Sequence, residues 1–169
     1  MNIPIRAFFR LLSVTIMVVL SVGTSHAQTI HNNNDALKNV TQSHVYFDVS
    51  LDDDQKLLLR MNLLQRTMEQ MKDAGVEMLA VIGFRAGASR FITKNDHYVL
   101  EEEIDNKRKI QELVGRFASE GIRLEQCIIA AELLDISLDD FLPEITFVAN
   151  GYISLIGYQN QGYAVVPMD

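Results

Sequence analysis

The residues of this chain best suited to chemistry are a single cysteine and a few arginines and glycines near predicted strand ends. Cys127 is the only cysteine in 169 residues, and it stands between a short strand-like run, residues 122–126, and a helix-like run, residues 128–134. A thiol at such a junction lies near unpaired backbone N–H groups, which favour the nucleophilic thiolate. The alternative is that Cys127 is a small buried hydrophobe. The residue pattern leaves both interpretations open.

A second candidate site follows the predicted second strand. Gly87 lies among small residues, including Ser89, and would let the backbone approach a ligand closely. Arg85 and Arg90 would give this loop positive charge in an acidic chain, so a small anion could bind there. A tight turn with surface arginines is the alternative. Neither a GxGxxG pattern nor a Walker pattern supports a nucleotide.

Asn150 and Gly151 form the third candidate site, and their local structure has two interpretations. Asn-Gly between β-rich runs is a strong hairpin signal. Alternatively, Asn150 caps a helix that runs to Gln161 and stops at Gly162.

The surrounding pattern alternates strands with helices. Strands are predicted at residues 43–50, 76–83, 122–126, 145–149 and 163–166, the last ended by Pro167. The positions Leu57, Met61, Leu64, Met68 and Met71 share one face of a helix capped at Ser50 and closed by Gly75. A second helical segment spans residues 98–120, with Glu103 and Lys107 paired on a solvated face. Such alternation predicts a three-layer α/β/α sandwich with a mostly parallel sheet, whose functional groups gather at the carboxyl ends of the strands.

The amino terminus has the pattern of an export signal. Arg6 and Arg10 precede an apolar segment, residues 11–22, and Ser25-His26-Ala27 fits a cleavage site after Ala27. We expect a signal peptide at residues 1–27, a flexible polar leader at 28–42, one domain at 43–169, and a periplasmic or secreted mature protein. The signal contains two arginines and no acids, so its removal would change the formal charge from −7 to −9.

Composition argues against several function classes. An acidic domain disfavours nucleic acid or an anionic membrane as a partner. One cysteine allows no internal disulfide, which is unusual for an exported protein. The sequence has no Cys-x-x-Cys, serine-hydrolase elbow, zinc spacing, or flavin or nicotinamide motif, so neither a metal nor a conventional cofactor is expected. Asp52, Asp53 and Asp54 fit a helix start better than a metal site.

Residues 121–167 carry a family resemblance. Gly121 leads a strand that ends in Cys127; Leu142-Pro143 precedes the next strand; Gly151 leads a helix with glutamine near its end; and Gly162-Tyr163-Ala164 opens a short strand ended by proline. In these features the chain resembles the DsrE/DsrF-like family of sulfur-relay and YchN-type proteins, particularly its exported members. Weaker similarity extends over residues 43–167.

The resemblance carries its own expectations. It implies a parallel sheet of about five strands, a helix rather than a hairpin after Asn150, homo-oligomers, and a cysteine persulfide at Cys127. A sulfur carrier would take sulfur from a small sulfur-containing anion or pass it to an acceptor protein, with Cys127 as the reactive residue. The rival expectation is a non-catalytic oligomer that binds a ligand or partner, with Cys127 buried. The exported branch often has histidine-glycine after the second strand, where this chain has Arg85-Ala86-Gly87.

Overall fold

The computed structural model describes residues 32–169, and these form a single parallel sheet with helices. The strands are β1 Gln42–Val49, β2 Glu77–Phe84, β3 Arg123–Cys127, β4 Thr146–Val148 and β5 Ala164–Met168. Their order is β4-β3-β2-β1-β5, and every neighbouring pair is parallel. The predicted α/β class is therefore confirmed. The expected signal peptide and the first residues of the expected leader lie outside the described residues.

Helices cover both faces of the sheet. The four α-helices are α1 Asp54–Asp73, α2 Ile104–Ser119, α3 Ile128–Leu133 and α4 Gly151–Asn160, with short 3₁₀ turns between β2 and α2 and before β4. On one face, α1 and α2 bury their apolar stripes against the alternate strand residues Val45, Phe47, Val49, Ile82, Phe84 and Leu124. On the other face, α4 packs over residues of β1, β2 and β3 that include several polar side chains.

The three aspartates at the start of α1 cap the helix and bond to neighbouring segments of the chain. The side chain of Asp53, not Ser50 as predicted, caps α1 by accepting from the Lys56 backbone N–H at 2.8 Å. Asp54 accepts a hydrogen bond from the side chain of Asn106 in α2 at 2.6 Å, and Asp52 pairs with Arg90. All three carboxylates thus have protein partners.

The prediction of a solvated Glu103–Lys107 pair is wrong, because Lys107 is completely buried. Its ammonium donates to the backbone oxygen of Asn95 and lies 3.3 Å from the carboxylate of Asp96. Burial lowers the pKa of Lys107, and the hydrogen bond to Asp96 opposes that shift. The segment before α2 folds as 3₁₀ turns rather than as helix, and this lysine fastens it to α2.

The C-terminal elements show which structure follows Asn150 and where the last strand ends. Asn150 caps α4 by accepting from the Tyr152 backbone N–H at 2.9 Å, so the helix expected from the family resemblance forms and the hairpin does not. β4 pairs with β3 and the final strand pairs with β1, across the sheet. That final strand continues through Pro167 to Met168, beyond its predicted end, because an edge strand tolerates a residue without an N–H.

Candidate functional site

The sulfur of Cys127 lies at the carboxyl edge of the sheet and accepts a backbone hydrogen bond. Cys127 is the last residue of β3, is 7% exposed, and receives the N–H of Gly151 at 3.2 Å from Sγ. The sequence predicted that the helix after Cys127 would supply such a group. Instead, the N–H comes from the first residue of α4, and no N–H of α3 bonds to the sulfur. The dipole of a ten-residue helix therefore points its positive end at the thiol.

Gly151 permits this approach because it has no side chain. A Cβ added at Gly151 would lie 3.2 Å from Cβ of Cys127, 3.6 Å from its sulfur and 4.0 Å from Cδ of Arg85. The first of these distances is tighter than ordinary packing. The predicted residues Asn150, Gly151, Cys127 and Arg85 are thus brought together, and Gly151 is the point where they meet.

Arg85 is held by a carboxylate. Its Nε and Nη2 donate to the two oxygens of Asp48 at 2.7 and 2.8 Å, a bidentate pair in which both side chains are largely buried. This hydrogen bonding raises the pKa of Arg85, against an opposing effect of burial. The guanidinium also lies 5.2 Å from the ring centre of Tyr152 in α4. The positive charge expected at this loop is present, but Asp48 balances it.

Two buried acids flank a glycine on the same face of the sheet. Asp48 and Glu125 are both in register with Gly83, one on each side of it. The ring of Tyr46 reaches over Gly83, so that a Cβ there would collide with its Cζ at 2.5 Å. Burial, and next the nearby charge of Glu125, raise the pKa of Tyr46.

Glu125 lies two residues before the cysteine and points to the same side of the sheet. Its Oε1 accepts from Arg123 Nε at 2.6 Å and from the Tyr158 hydroxyl at 2.9 Å. Its Oε2 is buried and has no partner among the described residues. Burial, and next the hydrogen bond to Glu125, raise the pKa of Tyr158.

The remaining predicted residues are Gly87, Ser89 and Arg90. Ser89 is fully buried, and its hydroxyl accepts from Nε2 of Gln126 at 2.8 Å; the same Nε2 donates to the Cys127 backbone oxygen at 2.8 Å. Gly87 and Arg90 instead contact Asp52, and Arg90 forms an ion pair with it. Ser89 therefore supports the cysteine, whereas Gly87 and Arg90 do not touch it.

Sequence reasoning missed Asp48, Glu125 and Gln126. A signal for them exists, because acids and amides are rare in the buried strands of a parallel sheet. Glu125 and Gln126 are 2% and 0% exposed although they stand in such a strand. A charged or amide side chain within a strand expected to be buried could therefore have been identified as a site residue.

The two helices that begin beside the thiol carry exposed apolar side chains. Several large side chains of α3 and α4 are exposed: Ile129, Leu133, Tyr152, Ile153 and Ile156. Ile129 belongs to the first turn of α3, and Tyr152 and Ile153 belong to the first turn of α4. Among residues 32–169 no helix combines the length and apolarity needed to cross a membrane.

Comparison with known proteins gives a family and a fold. A model of the DsrE/DsrF-like family matches residues 44–168. A solved protein of unknown function from Methanobacterium thermoautotrophicum aligns with a TM-score of 0.59 and 16% identity, covering 74% of this chain and 98% of that protein. That similarity concerns the fold alone. No curated protein matches the chain.

Proposed function

Since the chain belongs to the DsrE/DsrF-like family, we propose that it carries sulfane sulfur as a persulfide on Cys127. The observation that supports this role best is the Gly151 N–H at 3.2 Å from the cysteine sulfur. A hydrogen bond and a helix N-terminus both stabilise negative charge on sulfur, and the thiolate is the nucleophilic form of cysteine.

The proposed reaction conserves electrons without an outside oxidant. The Cys127 thiolate attacks the outer sulfur of a donor persulfide, R–S–SH. The donor S–S bond breaks, its electron pair leaves on R–S⁻, and the new S–S bond gives Cys127–S–SH. An acceptor thiolate then attacks the outer sulfur and releases the Cys127 thiolate, which the Gly151 N–H stabilises again.

The test is sharp because the chain has a single cysteine. Purified protein is incubated with an organic persulfide, and its intact mass is measured before and after reduction. We expect the mass of one additional sulfur atom, removable by reductant and absent in Cys127→Ser. Transfer of that sulfur to a second thiol completes the test. A chain that stays unmodified, or that gains sulfur in Cys127→Ser, would exclude the proposal.

A non-catalytic binding protein is the second candidate, and two observations favour it. Cys127 is only 7% exposed, and Leu133, Tyr152, Ile153 and Ile156 present 82%, 60%, 67% and 56% of their surfaces. Large exposed apolar surface is typical of an interface, here a homo-oligomer or a bound partner. Under this candidate, the thiol would react with iodoacetamide only in denaturant, and sedimentation would show an assembly at micromolar concentration.

The proposed setting is outside the cytoplasm, after cleavage behind Ala27. Expression of the full chain in a bacterium, followed by amino-terminal sequencing of the periplasmic fraction, tests this. Gln28 is expected as the first residue of the mature protein.

A further inference from the structure

We propose that the sulfur donor of this site is an organic persulfide with an uncharged, apolar R group, rather than thiosulfate or another oxyanion. This inference rests on the proposed persulfide function and narrows its substrate class. Four features of the described residues carry it: the pairing of Arg85, the pairing of Arg90, the buried carboxylate of Glu125, and the apolar side chains at the two helix starts.

The leaving group decides what a donor requires from the protein. With thiosulfate, which is a dianion, thiolate attack on the outer sulfur breaks the S–S bond and expels sulfite, so the leaving oxyanion carries two negative charges. Proteins stabilise such charge with an arginine whose donors are free to form a bidentate pair. With an organic persulfide the leaving group is a single thiolate carried by R.

Both arginines predicted for anion binding already form an ion pair with a carboxylate. Arg85, the nearer one, directs its Nε and one Nη2 hydrogen at Asp48 in a bidentate pair. Arg90 is paired with Asp52 and makes no contact with the cysteine. The two expected cations are thus each matched by an anion.

The face of the sheet that carries Cys127 also holds a second buried carboxylate. Glu125 shares one oxygen with Arg123 and Tyr158, and its other oxygen is buried without a partner among residues 32–169. Asp48 and Glu125 together balance the charges of Arg85 and Arg123. The first two N–H groups of α4 already bond to the Cys127 sulfur and to Asn150, so this face offers an oxyanion no unbalanced side-chain charge. The chain as a whole carries a formal charge of −7 and repels a dianion at longer range.

The two helices that begin beside the thiol expose apolar side chains. Ile129 on the first turn of α3 is 41% exposed, and Tyr152 and Ile153 on the first turn of α4 are 60% and 67% exposed. α3 begins directly after Cys127, and α4 begins at Gly151, whose N–H bonds to the Cys127 sulfur. An apolar R group gains from removal of this surface from water.

The experiment compares matched donors. Rates of Cys127 persulfidation are measured by intact mass with propyl persulfide, 2-carboxyethyl persulfide and thiosulfate, each at 0.02 M and 0.5 M NaCl. Each rate is divided by the rate of a free thiol with the same donor, which removes the intrinsic reactivity of the donor. We expect the propyl donor to react fastest, with a rate insensitive to salt, and the charged carboxyethyl donor to react more slowly. Thiosulfate should react slowest and accelerate in high salt, because screening weakens repulsion.

Asp48→Asn provides the directed test, since it removes the carboxylate and leaves the Arg85 charge uncompensated. The ratio of the thiosulfate rate to the propyl persulfide rate should rise about fivefold or more, the effect of one unit charge at about 4 Å in water. Asp73→Asn is the control, because it makes the same charge change on an exposed residue at the far end of α1. If Asp48→Asn fails to fold, the salt dependence of the unaltered protein decides.

The outcomes separate the two proposals. A thiosulfate or carboxyethyl rate that exceeds the propyl rate would overturn the donor assignment while leaving the persulfide function intact. Failure of every donor to add sulfur would overturn both. A fast propyl reaction, together with a rise in the ratio of thiosulfate rate to propyl rate in Asp48→Asn, supports both.

Discussion

Gly83→Ala is the substitution for which the structure most clearly predicts a loss of stability. A Cβ at Gly83 would lie 2.5 Å from Cζ of Tyr46, 3.2 Å from its Cε1, and closer still to its hydroxyl. Carbon atoms ordinarily pack about 3.5–4.0 Å apart. Tyr46 is 2% exposed and stacks on Tyr158 with ring centres 5.4 Å apart, so its ring has little room to yield.

The expected cost follows from this geometry. Overpacking in a core typically costs about 1–3 kcal/mol. Because a ring atom must move by roughly 1 Å to restore ordinary contact, we expect Gly83→Ala near the upper end, about 3 kcal/mol. Gly115→Ala is the matched control, since it lies within α2 with nothing within 4 Å of the added carbon. It should stabilise the protein by about 1 kcal/mol through helix propensity.

The stability of both variants is measured by urea unfolding followed by circular dichroism. A shift of the urea midpoint at an unchanged m-value reports the change in the free energy of unfolding. The double variant Tyr46→Phe/Gly83→Ala removes the hydroxyl but leaves the Cζ contact at 2.5 Å, so it should recover only part of the loss. If Gly83→Ala is as stable as the unaltered protein while Gly115→Ala gains stability, then the ring of Tyr46 does not lie over Gly83 in solution.

Three further predictions concern the thiol and two buried titrating groups. Gly151→Ala should slow iodoacetamide alkylation of Cys127 severalfold, because the added methyl lies 3.6 Å from the sulfur. Gly157→Ala is the control: its added methyl in the same helix meets nothing within 4 Å, so the rate should not change. Equal alkylation rates in the two variants would contradict the site geometry. Burial lowers the pKa of Lys107 in the folded state below its usual 10.5, so just below pH 10.5 the unfolded chain binds more protons than the folded chain. The free energy of unfolding should therefore rise with pH in that window. Lys107→Met, compared with the unaltered protein by urea titration at several pH values, should lose that rise. Burial and neighbouring carboxylates raise the pKa of Tyr46, so its phenol absorbance should change only well above pH 10. The stability that Tyr46 contributes should be present below pH 10 and lost as pH rises through its pKa in the folded state. A Tyr46→Phe difference spectrum with a titration midpoint near pH 10 would refute this.

Much of the architecture was readable from local patterns. The apolar spacing in α1 and the alternation in β1 follow directly from the periods of helix and strand, and both elements form within a few residues of their predicted bounds. Predictions failed where a nonlocal partner decided the outcome. Lys107 matched a surface helical pair in sequence, yet the segment before α2 folds over it and buries it.

The hairpin signal at Asn150-Gly151 shows the same limit. An Asn-Gly pair favours a tight turn locally, but the strand that follows pairs with β1 rather than with β4. Because that position lies on the other side of the sheet, the chain needs a connection long enough to cross it, and α4 supplies one. The family resemblance favoured the helix, and the sheet order explains it.

By itself, the sequence determined the α/β class, the family, the single thiol and its place at the end of a strand, because these depend on residue types and on short-range periodicity. Only the tertiary structure decided which helix faces the sulfur, since the N–H of Gly151 comes from a residue 24 positions away. It likewise decided that Asp48 balances Arg85 across neighbouring strands. Charge pairing and hydrogen bonding act between atoms a few ångströms apart in space, and the order of strands in the sheet sets those distances.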